Sequence, residues 1–122
     1  MIESVVIICD KSPIGRNSAI EAIRLGSGFM GLGEEIECKV VLTGDAVYFL
    51  NKHADPTAVG MDSYDEPLEM ADLSDLELIV VDTALEEAGL KADDLIEYEN
   101  LRIINNDDLT TIIGDARTCF RF

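Results

Sequence analysis

The chain has 122 residues, 48% of them hydrophobic, and 25 acidic against 9 basic side chains give it a net charge of −16. That length suits one domain with a single core, the apolar share excludes a disordered chain, and no apolar run approaches the roughly 20 residues that span a bilayer. A surface this acidic repels phosphate backbones and so disfavours non-specific nucleic-acid binding.

Neither a nucleic acid nor a membrane is therefore an expected partner. With no basic region ahead of an apolar one at the N-terminus, the expected compartment is the cytoplasm. An acidic excess with few lysines also marks proteins adapted to high salt, a reading that the many isoleucines do not strengthen. Cysteines at positions 9, 38 and 119 have neither metal-type spacing nor the even count of a disulfide framework. Reduced thiols are expected, with no metal and no cofactor.

Ser4 to Cys9 predict a first buried strand, followed by a loop through Pro13, Gly15 and Asn17. Asn17 or Ser18 can cap the helix that follows, which carries Ala19, Ile20, Ala22, Ile23, Gly26 and Met30 on one side. Gly26, Gly28, Gly31 and Gly33 permit close approach there while weakening an isolated helix. Glu37 to Thr43 predict a second strand and Ala46 to Leu50 a short helix. Asn51 to Glu66, broken by Asp55-Pro56, Gly60 and Glu66-Pro67, reads as a loop with at most one helical turn, and Pro67 to Leu73 as a short helix.

Leu78-Ile79-Val80-Val81 is a short, β-branched, unalternating run that suits a strand buried on both faces. It stops on Asp82-Thr83, after which Ala84 to Ala88 favour a helix closed by Gly89. Ala92 to Ile96 predict a further helical turn, Leu101 to Asn105 a fourth strand, Asp107 to Ile113 a helix and Arg117 to Phe122 a last strand. Strands alternating with helices imply an α/β fold: a three-layer α/β/α sandwich on a five-stranded, mainly parallel sheet. A receiver-like or flavodoxin-like doubly wound sheet shares those layers and differs in strand order.

In such sheets chemistry collects where strands end and helices begin. Asp82 and Thr83 occupy that position after the third strand, with an acid and a hydroxyl in place of a thiol. Ser12 to Ser18 hold Ser, Gly, Arg and Asn ahead of a helix N-terminus, the ingredients of an anion cradle, yet they match neither the P-loop nor the dinucleotide glycine pattern. A capped loop is the plainer account. Asp10 and Asp82 are placed like the acids of a phosphoacceptor receiver, but Asp10 stands between Cys9 and Lys11 where a receiver has a second acid. His53, the lone histidine, lies in a polar stretch and reads as a solvated residue, so no Ser–His–Asp arrangement is supported. Cys9 ends the first strand beside Lys11 and Arg16 and is the one thiol that could be exposed there, although structural packing is its plainer role. Cys38 and Cys119 fall inside strands and are expected to be buried.

Three stretches together resemble the DsrE/DsrF family of small sulfur-relay proteins, and within it the DsrF (TusC) branch. They are Ser12-Pro13-Ile14-Gly15 leading into Asn17 to Ile23, Gly44-Asp45-Ala46-Val47-Tyr48-Phe49-Leu50, and Ala84-Leu85-Glu86-Glu87-Ala88-Gly89-Leu90. The resemblance implies handling of protein-bound persulfide sulfur, in sulfur oxidation or tRNA thiolation. It also implies assembly into a homo-oligomer (trimer or hexamer) or a hetero-oligomer with DsrE- and DsrH-type subunits. DsrE-type members carry the persulfide cysteine near the end of the third strand, where this chain reads Val81-Asp82-Thr83. DsrF-type members also lack it, which implies a non-catalytic subunit of a sulfurtransferase complex. Cleft or interface candidates are Ser12, Pro13, Gly15, Arg16, Asp45, Tyr48, Asp82 and Thr83, with Cys9 as the candidate thiol. Phe29, Met30, Tyr48 and Phe49 exceed the apolar bulk that one sheet face requires and are expected to contribute to an interface of roughly 1,000 Å².

Overall fold

A computed structural model describes residues 3–122. Among the described residues five strands form one sheet: β1 (Glu3–Cys9), β2 (Ile36–Leu42), β3 (Glu77–Val81), β4 (Leu101–Ile104) and β5 (Thr118–Arg121). Their spatial order is β4-β3-β2-β1-β5, and every pairing is parallel. The α/β architecture expected from the alternation of elements is the one present. The receiver-like and flavodoxin-like alternative is not, because those sheets place the second strand at an edge beside the first, in the order 2-1-3-4-5.

The strands are connected, among the described residues, by four α-helices: α1 (Ser18–Met30), α2 (Asp65–Leu73), α3 (Asp82–Ala88) and α4 (Asn106–Asp115). From β1 to β4 the chain steps steadily across the sheet, so right-handed crossovers stack their helices on one face; the return from β4 to β5 puts α4 on the other. Register assigns Val5, Ile7, Val40 and Leu78 to the α1 face, and Val6, Ile8, Val41 and Ile79 to the α4 face. The α1 face is the thick layer: α1 and α2 pack together, and Ala19, Ala22, Ile23 and Ala71 are buried there. The α4 layer is thin. Leu109 and Ile112 lean on the core, but no residue of α4 is fully buried. Beyond its cover the sheet shows ion-paired charges, with Lys39 Nζ 2.9 Å from Glu37 Oε1 and Arg102 Nη2 3.2 Å from Glu77 Oε1.

Several local expectations are corrected. Neither Asn17 nor Ser18 caps α1 through its side chain, because Asn17 sits near the helical region at φ −100°, ψ 6° and cannot reach back. The short helix expected after β2 is present, as a 3-10 helix over Gly44–Leu50. Helix α2 starts at Asp65, two residues ahead of Pro67, which falls in the first turn, where a missing N–H breaks no bond. Helix α3 begins at Asp82 itself. Phe49 belongs to the core and is buried, and Phe29 is stacked on Phe120 at 5.9 Å between ring centroids. Of the aromatic bulk assigned to an interface, Tyr48 is the ring left open, 37% exposed.

Candidate functional site

At the C-terminal edge of the sheet the loops after β1, β2 and β3 meet the end of β5. Asp10 follows β1 and accepts a bond from Arg121 Nη2 at 2.6 Å, with Lys11 Nζ at 3.9 Å. The guanidinium bond, helped by the charge of Lys11, holds the Asp10 carboxyl below the usual carboxylate range. Gly44 closes over this point at φ +52°; a Cβ there would stand 3.2 Å from the Asp10 carbonyl. Gly44 thus has two reasons to be glycine. Asp45, next in the chain, is exposed in the first turn of the 3-10 helix.

Asp82 and Thr83 lie two strands away from Asp10, because β2 separates β1 from β3. Two strand spacings amount to about 10 Å, so the acids of the receiver comparison do not converge. Asp82 Oδ1 accepts from the Thr83 N–H at 2.7 Å, and Thr83 Oγ1 is 3.3 Å from Asn106 Nδ2. Both residues are exposed at the start of α3. Asn106, at the start of α4, was not singled out from sequence, and only the fold brings it here.

The thiols reverse the order of accessibility expected for them. Cys9 is fully buried, and that burial pushes its pKa up; the carbonyl of Lys11, 4.0 Å from its sulfur, offsets this only in part. Register turns Cys9 toward the α1 face with Val5, Ile7 and Leu42, away from the loop cations that suggested exposure. Cys38 is buried too, its pKa pushed up to about 12 by desolvation. Cys119 is exposed, on the edge strand β5, all four of whose residues are exposed.

The Ser12–Ser18 loop divides its residues between two recesses. Ser12 Oγ accepts from the Ile14 N–H at 3.2 Å, which ties the turn locally. Gly15, at φ +71°, points its N–H at Met61 Sδ, 3.4 Å away. Gly15 and Arg16 line an open groove of about 770 Å³ whose other charges are Arg24 and the acids Glu21, Asp62, Asp65 and Glu66. Four carboxylates against two guanidiniums, one of them paired with Glu21 at 3.3 Å, make poor company for a free phosphate. Pro13 and Tyr48 line a separate cavity of about 230 Å³ together with Met61 and Tyr64. Met61 and Tyr64 were missed in the sequence because their stretch has no periodicity to place them.

The described residues hold no cluster of three or more His, Cys, Asp or Glu able to bind a metal ion, and no helix long and apolar enough to cross a membrane. No curated protein matches the chain by sequence. Among solved structures, the ychN protein from E. coli aligns over 100% of both chains with a TM-score of 0.79 at 18% identity. MTH1491 from Methanobacterium thermoautotrophicum, described as a protein of unknown function, aligns over 100% of both chains with a TM-score of 0.72 at 14% identity. Likenesses at such identities establish the fold. The sequence match to the DsrE/DsrF-like family runs over residues 3–122, the whole of the described chain, and with the three motifs and the observed strand order it leads to one conclusion: the chain belongs to the DsrE/DsrF-like family.

Proposed function

We propose that this chain is a DsrF/TusC-like subunit of a sulfur-relay assembly that serves as a non-catalytic interaction partner. The observation that carries the reading is the absence of a thiol where β3 passes into α3. Val81 ends the strand buried, and Asp82 and Thr83 occupy the exposed first positions of the helix. A persulfide relay needs an accessible thiolate with a positive neighbour or a helix N-terminus beside it. Cys9 and Cys38 are buried with raised pKa values; Cys119 is exposed, but it lies on β5, three strands across the sheet from the junction of β3 with α3. Asp82 would moreover repel an incoming persulfide anion from the junction where DsrE-type members carry their cysteine.

The subunit's part in such an assembly, as a homo-oligomer or beside DsrE- and DsrH-type partners in the cytoplasm, is to supply surface. The test has two readings. Cys119→Ser protein, folded and incubated with inorganic polysulfide, should gain no sulfur by intact mass, and light scattering of the native protein should show an oligomer at micromolar concentration. A stoichiometric persulfide on Cys9, abolished by Cys9→Ser, would make the chain a relay cysteine protein. A strict monomer that captures no partner would remove the subunit role.

A further inference from the structure

Between Asn51 and Tyr64 the chain makes a flap in which no residue is fully buried, built on the 3-10 turn Pro56–Val59. It folds back over the loop after β1, and the recess of about 230 Å³ described above lies beneath it. That volume falls below the 300–1,000 Å³ of sites for drug-sized ligands. It suits a smaller molecule.

The lining is chemically selective. Apolar surface comes from Pro13, Ile14, Val59 and Met61, and two aromatic rings from Tyr48 and Tyr64. Tyr64 is fixed by packing on buried Phe49, with ring centroids 4.4 Å apart. The lining has one formal charge, Asp55, and no lysine, arginine or histidine. One Asp55 oxygen takes the Thr57 hydroxyl at 2.6 Å, and among the described residues the carboxylate has no cationic partner. Aromatic faces present negative potential to a cation, and an adjacent carboxylate adds to it. A chain of net charge −16 further concentrates cations around itself.

We infer that the cavity under the 51–64 flap binds a small organic cation of the alkylammonium class. Its alkyl groups lie against Pro13, Val59 and Met61, and its charge is shared between the tyrosine rings and Asp55. An anion meets only Asp55 there and is repelled. The shared chemistry covers a free amine and a lysine side chain offered by another protein.

Tetramethylammonium and its neutral near-isostere tert-butanol separate charge from shape. Titrated into isotopically labelled native protein, tetramethylammonium should shift amide signals confined to Ile14, Tyr48, Asp55, Val59 and Tyr64, and tert-butanol should bind at least roughly threefold more weakly. Asp55→Asn keeps the Thr57 bond and should weaken the cation roughly threefold to fivefold while leaving tert-butanol unchanged. Tyr48→Leu, at a half-open position, should weaken the cation again. Butylammonium set against N-acetyl-lysine amide identifies the source: parity points to a protein side chain, preference for butylammonium to a free amine. Equal affinity for tert-butanol, no change on Asp55→Asn, no binding, or shifts spread over the acidic surface would each overturn the assignment.

Discussion

Gly26 lies on the face of α1 that meets the sheet, and a methyl group there has no room. A Cβ would stand 2.8 Å from Val40 Cγ2 and 3.0 and 3.1 Å from the two Leu76 δ carbons, whereas carbon contacts are favourable from about 3.5 Å. Val40 and Leu76 are fully buried, and Val40 is β-branched with little torsional freedom to yield. Overpacking of this kind costs about 1–3 kcal/mol. Alanine regains about 0.9 kcal/mol of helix propensity over glycine, so Gly26→Ala should destabilise the fold by about 0–2 kcal/mol. Gly28, two residues further along, is exposed and its added Cβ meets nothing within 4 Å. Gly28→Ala therefore keeps only the propensity gain and should stabilise by about 1 kcal/mol, roughly 4 °C in Tm for a domain of this size. Urea unfolding followed by far-ultraviolet circular dichroism, with a shared slope, reads both changes on one scale. If Gly26→Ala proves as stable as Gly28→Ala, α1 does not dock on β2 as closely as described.

Other predictions concern thiols, a half-buried hydroxyl and an ion pair. Native protein should react rapidly with one equivalent of a thiol reagent, at Cys119, and Cys119→Ser should remove that phase; two or three fast equivalents would contradict the burial of Cys9 and Cys38. Tyr98 donates to the Leu76 carbonyl at 2.6 Å, and burial, reinforced by the charges of Asp72 and Asp75, pushes its pKa well above the usual tyrosine range. Tyr98→Phe should cost about 1–2 kcal/mol in the same urea assay and remove the last tyrosine to ionise in an ultraviolet titration. Arg121→Ala should cost about 0.5 kcal/mol at neutral pH. Because the native pair lowers the Asp10 pKa, its contribution is fully present above the ordinary aspartate value of about 3.9 and fades as pH falls through the lower native value. A gap between Arg121→Ala and the parent that widens in acid would refute the pair.

What the residues disclosed and what they withheld divides along the line between local and distant causes. The Leu78–Val81 run, the Gly89 helix stop and the turn at Gly44 are set by neighbours in sequence, and all appear where the pattern put them. Cys9 and Cys119 show the opposite. Beside Lys11 and Arg16, Cys9 looks open, yet the pairing of β1 between β2 and β5 buries it. Arg117 to Phe122 alternate like a half-buried strand, yet β5 is an edge whose outer neighbour is solvent. Nothing local states which strand will be the edge. The candidate residues also fall into groups that no spacing foretold: Pro13 joins Tyr48, Gly15 joins Arg16, and Asp82 joins Thr83 and Asn106. Met61, which touches Gly15 and borders both recesses, comes from a stretch without periodic signal.

The place of β5 also governs how the molecule can be made. Strand β1 finds β2 after a short excursion, but its other partner is roughly 110 positions downstream, where Val5 aligns with Thr118. A chain emerging from the ribosome can therefore build β1 through β4 as a four-stranded sheet while the open flank of β1 waits, its backbone donors and acceptors satisfied only by water. Any second copy nearby at that stage presents an identical strand able to fill the vacancy. The order that buries Cys9 so well in the finished molecule thus leaves nascent chains open to trading their fifth strands, and slow dilution during refolding should favour the correctly closed product over the exchanged one.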